Sequence, residues 1–208
     1  MKSPGICSFL FLAVFGVSTP ASRAIDALLE ADTFARPDGA EAKGAAATLR
    51  ADGAAAIYLR FGFEGVLPGG TTAAQIGKAT LRVYDRSPFL YSFPEILPGI
   101  AVVPVLQAWH EHGLTSANAP TTADPVKLFQ FGGRNGGFLD IDLTDLVREW
   151  ISGARANHGI ALRGARPEDQ PRQFPWTASR LAIDSKENTA TAHEARLQIV
   201  LLPAPQPN

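Results

Sequence analysis

The sequence predicts an all-β fold, a jelly-roll-like β-sandwich carrying one short α-helix at about residues 143–152. Three observations lead there. Eight or nine short segments place apolar residues at every second position, the pattern of half-buried strands. Gly, Pro, Asn and Asp punctuate the chain between them. One stretch alone switches to a helical period, whereas a parallel α/β fold would need a helix between most strands.

Taken in order, residues 1–24 read as a secretory signal peptide. Lys2 supplies a positive start, residues 6–17 form an apolar run of signal-peptide length, and Ser22-Arg23-Ala24 offers small residues around a cleavage site. The run is too short to span a bilayer; the competing reading is an N-terminal anchor. Residues 25–202 then form one domain and residues 203–208 (PAPQPN) a flexible tail.

Within the domain, residues 31–36 (ADTFAR) and 48–51 read as strands, the second ending at the Asp52-Gly53 turn. Residues 56–63 alternate Ile57, Leu59, Phe61 and Phe63 with Tyr58, Arg60 and Gly62. Residues 79–85 (ATLRVYD) alternate again, with Leu81 and Val83 inward. Residues 87–99 form an aromatic, Pro-containing loop. Residues 100–106 are a strand that Pro104 interrupts, which suggests an edge or a bulge. Residues 109–120 are irregular, and 129–131 make a short strand.

In residues 137–164 the period changes twice. Leu139, Ile141 and Leu143 alternate with Asp140 and Asp142; Leu143, Leu146, Val147, Trp150 and Ile151 then form one helical stripe. Asp142 or Thr144 can cap the helix, Asp145 complements its dipole, and Gly153 can end it in a left-handed conformation. So short a helix must lie on something to persist. Ile160 and Leu162 mark the next strand, residues 165–177 a polar, Pro-rich loop, and residues 178–183 and 195–201 the last strands.

The formal charge is −1. Removal of the leader takes 19 basic residues to 17 against 20 acidic, a net charge of −3. That balance argues against nucleic-acid partners and, after leader cleavage, against a membrane surface. Cys7, the single cysteine, lies in the leader, so the mature chain has neither disulfide nor thiol chemistry.

Several segments, in order, resemble the DNRLRE domain family, which overlaps a carbohydrate-binding module family related to disaggregatase and alginate-enzyme modules. They are ADTFAR (31–36), IYLRF (57–61), ATLRVYD (79–85), WHEHGLTSANAP (109–120), DLTDLVREWISG (142–153) with NHGIALRG (157–164), and the closing segment 183–201. The family's frequent Asn-Tyr-Gly turn is replaced by Lys43-Gly44, Ser116 stands where a second Trp is common, and residues 87–99 look inserted. The resemblance implies a secreted jelly-roll sandwich, often attached to polysaccharide-active enzymes or surface proteins, with a sugar-binding role in some members.

Candidate chemistry is sparse. His110 and His112 share a strand-like spacing but lack the further ligands of a metal site. Asp140, Asp142 and Asp145, with Asp32, Asp184 and Glu187, are of calcium-ligand type, yet no loop motif indicates the ion, and caps or solvent-facing positions account for them. No cofactor is expected. Tyr58, Tyr84 and Tyr91 sit in no recognisable catalytic segment, and no acid–base set with defined roles emerges. Arg60, Arg82, Arg163 and Lys186-Glu187 suit cross-strand pairs better than a groove.

Sugar faces stack on exposed aromatic rings. Trp109 and Trp150 belong to the core pattern. Trp176, with Arg172 in the loop RQFPWT, and Phe89, Tyr91 and Phe93 in the other aromatic loop are therefore the expected carbohydrate contacts; the competing reading folds these rings over the sandwich ends. The expectation is a secreted, extracellular or periplasmic, non-catalytic module that binds extracellular or cell-wall polysaccharide or another surface glycan. The alternatives are an adhesive cell-surface module recognising protein, and a polysaccharide lyase or hydrolase.

Overall fold

The computed structural model describes residues 22–203 apart from residues 38, 53, 88–98, 131–135 and 170–179. Among the described residues ten strands and one α-helix follow one another: β1 (Arg23–Ala35), β2 (Thr48–Asp52), β3 (Ala56–Gly62), β4 (Ile76–Asp85), β5 (Gly99–Pro104), β6 (Lys127–Gln130), β7 (Gly137–Asp142), α1 (Thr144–Ser152), β8 (Ile160–Gly164), β9 (Arg180–Asp184) and β10 (Arg196–Leu201). Every strand pair is antiparallel. The all-β sandwich with one helix agrees with the sequence reading.

β1 joins the two layers. Its first half pairs with β10 (Ala27 opposite Leu197) and its second half with β3 (Leu28 opposite Gly62 through Ala35 opposite Ala56). The register shifts between Leu29 and Ala31, a bulge of the kind that lets one strand turn from one sheet into the next. The first layer runs β7-β4-β10-β1, continued past the end of β4 by β9 and β2; the second runs β1-β3-β8-β5-β6.

Side chains at alternate positions of both layers meet between them. Ile57, Leu59 and Phe61 of β3, Ile100 and Val102 of β5 and Ile160 and Leu162 of β8 share one buried core with Leu81 and Val83 of β4 and Leu197 and Ile199 of β10. Each such side chain contributes about 1.5–3 kcal/mol when fully removed from water. Helix α1 adds Leu146, Val147 and Trp150 to the same core. Its start is held from outside the helix: Thr144 N–H and Oγ1 both donate to Asp142 Oδ1, at 2.9 and 2.6 Å. Gly153 ends it at φ 76°, as its position predicts.

Two elements differ from expectation. β1 begins at Arg23, not near residue 31; Ile25, Ala27 and Leu29 already carry the period-two pattern, and Arg23 and Ala24, the last residues of the expected leader, pair with Leu201 and Val200. Pro104 does not mark an edge. β5 lies between β6 and β8, and Pro104 closes it at the end opposite Ile160. Among the described residues, no helix is long and apolar enough to cross a membrane.

Candidate carbohydrate-binding face

The four-strand face of the first layer that looks away from the core is built by simple alternation. On β4, Lys78, Thr80, Arg82 and Tyr84 alternate with buried Ala79, Leu81 and Val83; on β7, Phe138, Asp140 and Asp142 share their side. Register then sets the rows. Asp26, Gln198, Thr80 and Asp142 lie side by side across β1, β10, β4 and β7. Arg196, Arg82 and Asp140 form the next row, and Tyr84 faces Phe138 beyond it.

Adjacent arginines would repel, and each is matched. Arg82 Nε and Nη2 donate to the two carboxylate oxygens of Asp140 at 2.7 and 2.9 Å. Arg196 pairs with Glu194 at 2.9 Å. The Arg82 fork holds the Asp140 carboxyl below its ordinary range, and Asp140 in turn raises Arg82. The guanidinium also lies 5.1 Å from the centre of the Phe138 ring.

An aromatic cluster stands at one end of this face. His193 stacks on Tyr84 with centroids 4.2 Å apart, and Phe138 meets Tyr84 and His193 edge-on at 5.1 and 5.6 Å. Phe138 keeps 52% of its surface exposed. Gly136, at φ 81°, lets the chain pass where a Cβ would come within 2.7 Å of Tyr84 Oη. His193 Nδ1 lies 3.6 Å from Oδ2 of buried Asp184. Burial pushes Asp184 up, but hydrogen bonds from Arg86, Thr191 and Asn188 outweigh it and hold the carboxyl below its ordinary value. Phe138 and the charged row open on a groove of about 430 Å³ lined by Asp26, Lys78, Thr80, Arg82, Phe138 and Arg196 among others.

Trp109 and Trp150 are core residues, 4% and 7% exposed. Trp109 Nε1 donates to His158 O at 2.8 Å, and Arg60 lies over its ring while donating to Trp109 O. Of the expected cross-strand pairs, Arg60–Glu30 and Arg82–Asp140 form, the latter within the groove, whereas Arg163 pairs with Asp169 of the following turn and Lys186 with Glu111 and Glu187. His110 and His112 are exposed, while Glu111 between them accepts the Asp32 N–H at 3.1 Å and pairs with Lys186 at 2.9 Å. Among the described residues no three His, Asp or Glu side chains converge as a metal site would require.

Trp176, Arg172, Phe89, Tyr91 and Phe93 lie outside the described residues. The chain just past β4 is tied to β9, where Ala182 N–H donates to Ser87 Oγ at 2.9 Å. Sequence reasoning missed Phe138 and His193. Phe138 was accessible to it, because it heads an alternating strand whose polar side carries two aspartates. His193 was not, since a turn delivers it to Tyr84.

An all-β sandwich with an open, polar sheet face and an aromatic cluster at its end offers the surface features that sugar recognition uses. The model of carbohydrate-binding module family 96 matches residues 26–199, nearly all of the described fold, and the chain belongs to that family. No curated protein matches the chain.

Proposed function

We propose that the protein is a secreted module that binds extracellular or cell-wall polysaccharide on the outward face of β10, β4 and β7, without transforming it. The observation that carries this is the Phe138–Tyr84–His193 platform beside the Arg82–Asp140 pair. An exposed ring supplies the apolar surface for a sugar's C–H face, and the flanking guanidinium and carboxylate offer donors and acceptors to its hydroxyls. Membership in a carbohydrate-binding family supports the ligand class. The leader pattern of residues 1–24 supports secretion. The sequence puts Trp176, Arg172, Phe89, Tyr91 and Phe93 forward as further sugar contacts.

Affinity electrophoresis in gels containing an uncharged glucan, a xylan or a polyuronate tests this. Phe138→Ala should weaken retention about tenfold, or ~1.4 kcal/mol, with little change in stability because the ring is half exposed. Trp176→Ala tests the loops separately. Equal retention of wild type and Phe138→Ala would remove this face as the site; no retention in any gel would count against the function itself.

A further inference from the structure

We infer that the binding face takes an extended chain spanning two grooves, so that affinity depends on ligand length; this rests on the reading above. The second groove, about 600 Å³, is lined by Lys78, Lys127, Asp142, Thr144, Arg148 and Glu149 among others. Lys78 lines it and the aromatic-side groove alike. Asp140 and Asp142 are successive outward residues of β7, one in each groove. The two grooves therefore adjoin at Lys78, the second passing from the outward face toward α1 and the edge strand β6 of the other layer. From Tyr84 to Lys78 that face extends about 20 Å at roughly 3.3 Å per residue of β4, far beyond the reach of a monosaccharide, and the second groove continues it to α1.

The groups in the second groove divide into occupied and available. Asp142 Oδ1 accepts from the Thr144 N–H, the first amide of α1, and from Thr144 Oγ1, and Arg148 donates to Ile76 O and Asp145. Lys78 and Lys127 are exposed, and their ammonium groups make no hydrogen bond or ion pair among the described residues. Both stand close enough to Asp142 for their charge to help lower its pKa, after the larger effect of the Thr144 hydrogen bonds. Two ammonium groups with unused donors, on adjoining walls of a groove, suit the hydroxyl and ring oxygens of successive sugar units. Lys127, on β6, reaches only the far groove.

Calorimetry with a size-fractionated oligosaccharide ladder from whichever of the three gel polymers is retained tests this. Affinity should rise with length beyond the shortest oligomer that binds. Lys127→Ala should leave the shortest oligomer's Kd unchanged and weaken the longest about fivefold to tenfold, the scale of a lost charge-assisted hydrogen bond. Lys78→Ala should weaken both. Length-independent affinity, or a Lys127→Ala variant that binds the longest oligomer like wild type, would overturn the two-groove arrangement while leaving the platform reading intact. Loss of all binding by Phe138→Ala with normal length dependence in wild type would leave both standing.

Discussion

The sandwich has two outer faces, and they are finished in opposite ways. On the second layer, residues 106–126 bring Trp109 and Leu114 down onto Ala31, Tyr58, Ala101, Val103 and Ala161, making a second small core. On the first layer, the equivalent positions of β10, β4 and β7 are Arg, Gln, Lys, Thr and Asp, and solvent reaches them. Both faces carry an arginine against an aromatic ring. Arg60 over buried Trp109 keeps 27% of its side chain exposed, whereas Arg82 over half-exposed Phe138 keeps 52%. The same contact thus serves the fold on one side and is free to meet a ligand on the other. Aromatic content alone does not locate a sugar site; the state of the face around the ring does.

The largest effect that tests this contrast is Trp109→Ala. The ring packs on Tyr58 at 5.9 Å, and its N–H satisfies a backbone carbonyl. Its removal opens a cavity beneath the covering segment and should cost about 3–5 kcal/mol, read as a lower urea midpoint. Carbohydrate retention per folded molecule should be unchanged. A matching loss of affinity under conditions where the variant is fully folded would mean that the two faces are not separate.

A smaller effect lies at the seam between the covering segment and the rest. Asp32 is fully buried on β1; its carboxylate accepts from Ser185 Oγ at 2.9 Å and Lys186 N–H at 2.7 Å, while its own N–H donates to Glu111 of the covering segment. Burial dominates and raises its pKa to about 6 from 3.8; the bonds to Lys186 and Ser185 oppose it, as does the Lys186 charge, and the Glu111 charge adds to it. The folded protein therefore holds this proton where the unfolded chain has released it. Stability from Asp32 is present in full below pH 3.8 and is lost as pH rises through about 6. Asp140, Asp142, Asp169 and Asp184 act oppositely, since their lowered values remove stability as pH falls. The stability difference between wild type and Asp32→Asn should isolate the first group. It should move against wild type on the order of 1–3 kcal/mol between acid and neutral pH and then level off. A flat difference, or a carboxyl NMR titration midpoint near 4, would refute the assignment. Retention on polysaccharide should not follow this titration.

Much of the fold was legible because alternation is a local signal. Residues 56–63, 79–85, 139–143 and 195–201 each carry their inward side in plain sight, and the helix stripe ending at Gly153 is as clear. The first half of β1 was obscured because residues 23–30 overlap the end of the expected leader. The strand over residues 100–106 is legible too, but Pro104 points to an edge or a bulge where the structure has an interior strand. The better signal was their unbroken apolar run, which marks a strand covered on both faces. The site was only half legible. Outward residues on β4 and β7 could be read from period two, but register alone decides that Tyr84 meets Phe138 and Arg82 meets Asp140. No local pattern announces that a turn after β9 brings His193 against Tyr84.

The smallest effect separates charge from shape on the open face. Arg82→Lys keeps the positive charge opposite Asp140 but loses the two-pronged fork and the flat group over Phe138. Both partners are at the surface, where screening leaves an ion pair little to contribute to stability, so the urea midpoint should stay within error of wild type. Binding should weaken a few-fold, because the Phe138 ring loses the neighbour that fixes its angle and the sugar loses a fixed row of donors. Asp140→Asn should have a similar effect, and the double variant should be little worse than either single one, since each breaks the same fork. If the two losses instead add in full, Arg82 and Asp140 meet the ligand independently, and the pair is two contacts that happen to adjoin.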